Sequence, residues 1–452
     1  MPDGKKGFLS QTQALREGVA EITRLQTRLN TVNRPIFREP TAELLCKEIE
    51  NFRHRIGGFH EPLATEFRAA AVEWLKIAQR QLDEAKAVLS KEPTPQIFRA
   101  GDPVDRDNEA FVPRNGVVGE LEGQIMLSTG CPGLVLYGRR RMGKSTVLRN
   151  LTGFLPTTVV PVSISMQEPR AFASLESFVD NLMERVRRGF PVENGGDDEP
   201  ADLSGLFDFL TRCDAQLDAE GKRLLLALDE YEMIDVKIGE GVFPEDLLAT
   251  IRESIQTHRR ITWIFAGSYE ITELRHAPWT SYLVSARTVE VPAFTPQETR
   301  LLLTEPLKYS SLWEKDHPKR PQFPPEFWGD GGIERIHEES SGWPHLVQLI
   351  AETVVDVLND EGTRQVDASV LERALGRSIV RGHNVFHLLM YRESTIPGEW
   401  EYLSAFRHHT MQPPPEDEAV NRSLRRRLLV EEEDGEWRLR VPLMARWLRE
   451  RG

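Results

Sequence analysis

Eight consecutive residues, Gly138-Arg139-Arg140-Arg141-Met142-Gly143-Lys144-Ser145, satisfy the pattern GxxxxGK[ST] in full. Glycines let backbone N–H groups curl around phosphates, and the N-terminus of the following helix adds its positive dipole end. Lys144 supplies a point charge for the β- and γ-phosphates, and Ser145 offers a hydroxyl to Mg²⁺. The expected phosphate-binding set is therefore Gly138, Arg139, Arg140, Arg141, Met142, Gly143, Lys144, Ser145 and Thr146. Positions between the glycines contribute backbone, so the three arginine side chains are expected to face solvent or a partner. A second constellation, Arg223-Leu224-Leu225-Leu226-Ala227-Leu228-Asp229-Glu230, reads as a buried strand ending in two carboxylates. Asp229 would hold Mg²⁺ through water, and Glu230 would orient and deprotonate an attacking water, which favours hydrolysis over transfer to a hydroxyl. Glu232 is a spare acid beside them, given a structural role. Ser268, after the apolar run Ile261–Ala266, can present a hydroxyl near the γ-phosphate, and Arg287 is a candidate arginine finger with an ion-paired surface arginine as the alternative.

The elements that must position these residues follow from periodicity. The phosphate-loop motif lies between the apolar run Leu134–Tyr137 and the helix-like KSTVLRNLTGF. Further strand candidates are Thr158–Ser165, Leu224–Leu228, Ile261–Ala266 and Thr288–Val291, alternating with amphipathic helices, the pattern of a five-stranded parallel α/β sheet. Ligands bind at the carboxyl edge of such sheets, where Asp229 and Glu230 would stand. Glu193–Asp202 reads as a solvated acidic loop. Thr295-Pro296-Gln297-Glu298 combines a capping box with proline at the first helical position, and opens a mostly helical region with helices around Gly332–Glu339 and His345–Leu358.

Before the nucleotide domain, about 90 residues read as helices. Leu15, Val19, Ile22, Leu25 and Leu29 form one stripe, Leu44, Leu45, Ile49, Phe52 and Ile56 a second. A third helix, opened near Pro62, carries Phe67, Ala71, Leu75, Ala78, Leu82, Ala85 and Leu89 in a near-heptad seam, better suited to a bundle than to a coiled coil. Lys91–Val104, with three prolines and a glycine, reads as a linker. At the other end, helices near Glu399–Phe406 and Ala419–Arg427 precede two short strands around Asp434-Gly435, a hairpin signal, and an amphipathic terminal helix with Leu443, Trp447 and Leu448. Helix, helix and hairpin in that order suggest a winged helix. The expected domains are 1–90 helical, 91–109 linker, 110–294 nucleotide-binding core, 295–390 helical lid and 391–452 winged helix.

Composition bounds the rest. A chain of 452 residues suggests about two to four domains, and 40% hydrophobic with 28% charged residues is the balance of a globular protein. With 57 Lys+Arg against 70 Asp+Glu the net charge is −13, which opposes a wholly basic nucleic-acid binder. The three cysteines, Cys46, Cys131 and Cys213, lack CxxC spacing and support neither disulfides nor zinc. No apolar run approaches a membrane span and Met1–Ser10 lacks an apolar signal core, so a cytoplasmic location without membrane contact is expected.

The motif LVLYGRRRMGKSTVL resembles that of the STAND branch of the AAA+-like P-loop ATPases. In that family an F-V-G-R sequence contacts the base; Phe111-Val112-Pro113-Arg114 is similar, with proline replacing glycine. The family's lid carries a G-x-P that touches nucleotide, similar to Gly342-Trp343-Pro344, and a winged helix follows. The resemblance covers about Ala110 to Gly452 and implies Phe111, Val112, Arg114 and Pro344 as nucleotide contacts, ATP and Mg²⁺ as ligands, and a signalling switch. In such a switch ADP keeps lid and winged helix closed and ATP exchange opens them for homo-oligomerisation, often in bacterial stress or antiphage defence. The long C-terminal repeat array of that family does not follow here, so the trigger is expected through a separate sensor or effector protein, the N-terminal helices or the nucleotide domain. ATP is preferred over GTP because no Asn/Thr-Lys-x-Asp motif follows the fourth strand. Two alternatives stand beside this Mg-dependent ATPase. One is a DNA-acting ATPase of origin-recognition or loader type, gripping duplex with Arg422, Arg425, Arg426 and Arg427; the other is a scaffold that binds nucleotide without turning it over.

Overall fold

Runs of β-branched and leucine residues that are apolar on both faces can be satisfied only in a sheet covered on both sides, and the computed structural model contains that arrangement. It describes residues 3–32, 35–59, 61, 63–90, 94–107, 110–127, 130–192, 200–314, 317, 320–361, 363–394 and 396–451. Strands β1 (Leu134–Tyr137), β2 (Val159–Ser165), β3 (Arg223–Asp229), β4 (Ile261–Gly267) and β5 (Arg287–Glu290) form one parallel sheet in the order β2-β3-β4-β1-β5. Each lies within a residue or two of its sequence-based bounds. Alternation along the strands divides the core. Leu224, Leu226, Leu228, Trp263 and Phe265 face one layer, which includes the helices Leu175–Gly189, Leu203–Glu220 and Asp246–Thr257. Leu225, Ala227, Ile264, Ala266, Leu134 and Leu136 face the other. That second layer is continuous with Trp343, Leu346 and Ile350 of the later helices and with Trp437, Leu443 and Trp447 near the C-terminus, so all these segments share one apolar core.

The capping box at Thr295 is present: Glu298 N donates to Thr295 Oγ1 at 3.1 Å and Thr295 N to Glu298 Oε2 at 2.9 Å, starting the helix Pro296–Thr304. Helices Gly332–Ser340 and Pro344–Glu361 follow, then Ala368–Arg381, which the periodicity reading passed over. A π turn, Leu388–Arg392, ends this region; such turns accommodate an extra residue and often stand at functional sites. Helices Glu399–Ala405 and Glu418–Arg426, the antiparallel pair β6 (Val430–Glu433) and β7 (Glu436–Leu439), and the helix Pro442–Arg451 complete the chain in the predicted order. Asp434 at φ 53° and Gly435 at φ 84° make the hairpin turn.

The N-terminal helices Asp3–Thr31, Pro35–Ile56 and Leu63–Ser90 pack their stripes together, with Leu25, Leu45, Ile49, Phe52 and Ala78 in a cluster of their own. The bundle touches the rest through Phe37, which is buried in the larger core, and through the charged contacts Lys47–Glu314 and Glu43–His317. The expected helix opening at Pro62, the start of the linker at 91–93 and most of the acidic loop, 193–199, lie outside the described residues. The described part of that linker differs from the expectation. Ile97 and Phe98 are fully buried, and Arg99 N and Ala100 N donate to Gln348 and Glu352. Val104 N donates to Thr146 Oγ1, while Asn150 Nδ2 donates to Val104 O. Proline and glycine here shape an extended strap between the phosphate-loop helix and the helix Pro344–Glu361, because its backbone finds side-chain partners on both.

Candidate phosphate-binding site

Parallel register brings the chemistry to one edge. Tyr137 at the end of β1 pairs with Gly267, and Asp229 at the end of β3 pairs with Ala266, so the phosphate loop, the two carboxylates and Ser268 leave the sheet at one level. β1 lies inside the sheet, where a crevice opens beyond the carboxyl ends. Gly143 sits at φ 94°, a left-handed conformation open to glycine, and hands the loop to the helix Lys144–Asn150. The crevice is a cavity of about 730 Å³ lined by the loop, Asp229, Glu230, Ser268, Phe111, Arg114 and Pro344, among others.

Lys144 is buried, and its ammonium donates to Gly138 O at 2.6 Å, Arg139 O at 3.2 Å and Ser268 Oγ at 3.0 Å. Loss of hydration pushes its pKa down to about 8, opposed chiefly by Glu232 and then Asp229. The Asp229 carboxyl is raised by burial, against which the nearby Ser145 side chain and the Lys144 charge act, and it accepts a hydrogen bond from Glu230 N at 3.1 Å. Glu230, next along, holds φ 60°, a strained conformation for a residue with a side chain, of order 1–3 kcal/mol. Burial and the neighbouring Asp229 raise its carboxyl too, the direction that suits a base to neutral pH.

Of the three loop arginines Arg141 is exposed, as expected, whereas Arg139 is buried and Arg140 half-buried. Each of their side chains bonds to another segment of the same chain. Arg139 is 4% exposed and donates to Ser268 O at 3.0 Å and, from Nε, to Arg426 O at 2.7 Å. Arg140 pairs with Glu393 at 2.7 Å, just past the π turn, and its carbonyl accepts from Trp343 Nε1. Arg141 donates to Gly101 O of the strap at 2.6 Å. Arg287 is also placed away from the expected role. It pairs in register with Leu134, three residues or about 10 Å back along β1 at the opposite edge, and donates to Gln124. Within this chain it does not reach the phosphate loop.

The F-V-P-R segment does meet the cavity, through Phe111, Val112 and Arg114. Arg114 is nevertheless anchored to protein, donating to Pro292 O at 2.6 Å and pairing with Glu298 at 3.2 Å, so it braces the junction after β5. Pro344 and His345 line the same cavity, and burial pushes the His345 imidazole down to about 4. The strap residues 99–104, Glu393 and His345 carry no motif; only the Gly101-Asp102-Pro103 turn signal was available, and it read as a linker.

Residues 128–274 match the family model described as AAA domain. No curated protein matches in sequence. Among solved structures, the Walker-type ATPase PABY2304 of Pyrococcus abyssi is similar at 16% identity and TM-score 0.50, covering 80% of this chain and 99% of that one. The fold is that of an α/β P-loop NTPase. The ORC2 protein of Aeropyrum pernix is similar at 15% identity and TM-score 0.45, over 78% of this chain and 97% of that one. So is the RuvB Holliday junction branch migration motor of Thermotoga maritima, at 14% and 0.36, over 73% and 92%. In this P-loop NTPase fold Ser145 and Asp229 both line the cavity and offer it hard oxygen donors, the kind that suit Mg²⁺. No helix among the described residues is long and apolar enough to cross a membrane.

Proposed function

We propose that the chain is a Mg-dependent ATPase that works as a conformational switch and assembles into a homo-oligomer in its ATP state. The observation that carries this reading is the convergence of Lys144, Ser145, Asp229, Glu230 and Ser268 on one cavity. Lys144 leaves Gly138 O and Arg139 O to bind the β- and γ-phosphates, and the loop amides hold the remaining phosphate oxygens. Ser145, and Asp229 through water, would hold Mg²⁺, which would supply charge neutralisation of the phosphates. Glu230 orients a water and accepts its proton, and Ser268 holds its hydroxyl beside Lys144. Phe111 and Val112 form the apolar wall for adenine, and Pro344 closes the cavity from the lid side.

A switch needs a path from phosphate to the moving parts. Arg139 and Arg140 support one, since each joins the loop to the segment beyond the lid, through Arg426 O and Glu393. A winged helix formed by 399–451 would be the part released on exchange, with the trigger arriving from a separate protein. The DNA-acting alternative has less support. Arg425 is paired with Glu432, Arg426 with Glu270 and Arg427 with Glu399. The test is light-scattering mass of Glu230→Gln, which traps bound ATP, with Mg-ATP, with Mg-ADP and without nucleotide. A mass increase with ATP alone is expected. A monomer with ATP demonstrably bound removes autonomous assembly from the reading, and undiminished hydrolysis in Glu230→Gln removes its base.

A further inference from the structure

The turn after β3 does more than carry Asp229 and Glu230. Its next two residues clasp the end of β4 at four successive positions. Tyr231 N donates to Ala266 O at 3.2 Å, and Tyr231 Oη to Tyr269 O at 2.9 Å. Gly267 leaves no room for a side chain, since a Cβ there would press on the Tyr231 ring and stand 2.5 Å from Glu232 Oε2. Ser268 N donates to Glu232 Oε1 at 3.3 Å. Ser268 is then joined on its other sides, by its hydroxyl to Lys144 at 3.0 Å and by its carbonyl to Arg139 at 3.0 Å.

Glu232 itself is 8% exposed, and its second oxygen, Oε2, is buried with no hydrogen-bond partner. An open carboxylate oxygen in the interior is costly, and an amide, whose oxygen accepts the same Ser268 N–H without a charge, would hold β4 more cheaply if holding were its whole task. What the carboxylate adds is negative charge one residue away from the Lys144 ammonium, with Ser268 touching both.

Resting on the ATPase reading above, we infer that Glu232 is a positioning residue of this site: through Ser268 it sets the hydroxyl that meets Lys144 and keeps the ammonium aimed at the phosphates. Glu230 and Glu232 thus divide the work, one acting on water and the other on the lysine. Misplacement of a group beside the reacting phosphate by about 1 Å costs up to about a hundredfold in rate, so a tenfold to hundredfold effect is the expected scale.

The test compares Glu232→Gln, Ser268→Ala and the double variant for turnover, KM and affinity for a fluorescent ATP analogue, with hydrogen exchange across 266–270 measured without nucleotide. In Glu232→Gln, kcat should fall about tenfold to a hundredfold while analogue affinity stays within about threefold and exchange at the β4 end rises. The double variant should be no slower than the slower single, because both changes act on one contact. Losses that multiply, or kcat and exchange both unchanged, overturn the inference. Should Glu232→Gln fail to fold, Glu232→Asp keeps the charge and shortens the reach, and full activity in it is equally fatal. Absence of turnover in the unmodified protein counts against the ATPase reading instead, and the exchange measurement still decides the role of Glu232.

Discussion

Replacing Lys144 by methionine should separate stability from function. The side chain keeps its length and apolar stem, and the change removes an ammonium that is buried and held by two loop carbonyls and Ser268. A lysine whose pKa falls from 10.5 to about 8 on folding penalises the folded state at neutral pH, by up to about 3 kcal/mol at 1.36 kcal/mol per pH unit. The unfolded chain binds more protons between these values, so wild-type stability should rise as pH climbs from about 8 to about 10.5. The methionine variant lacks that penalty and that rise. Two carbonyls losing a donor return part of the gain, about 1 kcal/mol or more if neither finds water. The net expectation at pH 7 is a variant more stable by about 1–2 kcal/mol that has lost ATP binding, since a buried cation against a phosphate contributes about 2–5 kcal/mol. Denaturant unfolding at pH 7 and pH 10 gives the first quantity and calorimetric titration with Mg-ATP the second. A variant destabilised by more than about 1 kcal/mol at pH 7, or one that binds ATP within tenfold of wild type, would refute the argument that the ammonium is held at a cost for phosphate.

Three further expectations come from side chains away from the phosphates. Arg287→Ala should leave steady-state ATP hydrolysis by the isolated chain within about threefold of wild type, because Arg287 stands at the far edge of the sheet; a hundredfold loss would mean that it acts on a neighbouring copy. Glu399→Ala strands the buried Arg427 guanidinium, whose partner lies at 2.7 Å, and should destabilise the C-terminal segment by about 3–5 kcal/mol, seen as faster proteolysis between 389 and 451. Duplex DNA should bind no more tightly than about 10⁻⁴–10⁻⁶ M, read by fluorescence anisotropy at physiological salt; tighter, steeply salt-dependent binding lost in Arg425→Ala/Arg426→Ala would bring the DNA reading forward.

Much of the site was legible because its signals are local. GxxxxGK[ST] works through backbone and the first residues of one helix, so Lys144 and Ser145 stand where the motif requires them. An apolar run closed by Asp229-Glu230 can end only at a strand edge, and five such runs separated by helices leave a parallel sheet as the way to bury both faces. The order β2-β3-β4-β1-β5 was not legible, since strands of similar composition do not encode their neighbours. Only that order sets Gly267 beside Tyr137 and brings Ser268 to Lys144, and it sends Arg287, one residue before a predicted strand, to the wrong edge for a cis finger. Arg139, Arg140 and Arg141 read as surface residues because charge in a loop is usually solvated; Arg141 is exposed, while Arg140 is half-buried and Arg139 buried. Their partners, Arg426 O, Glu393 and Gly101 O, lie 40 to 287 positions away, and no periodicity spans such gaps. The strap at 94–107 was hidden for the same reason: its backbone is satisfied by Gln348, Glu352, Thr146 and Asn150, side chains of two distant helices. The sequence by itself determined which groups stand at the candidate phosphate site and the elements that carry them. Tertiary structure decided which of those groups meet, because hydrogen bonds and ion pairs between distant segments depend on packing that no local pattern contains.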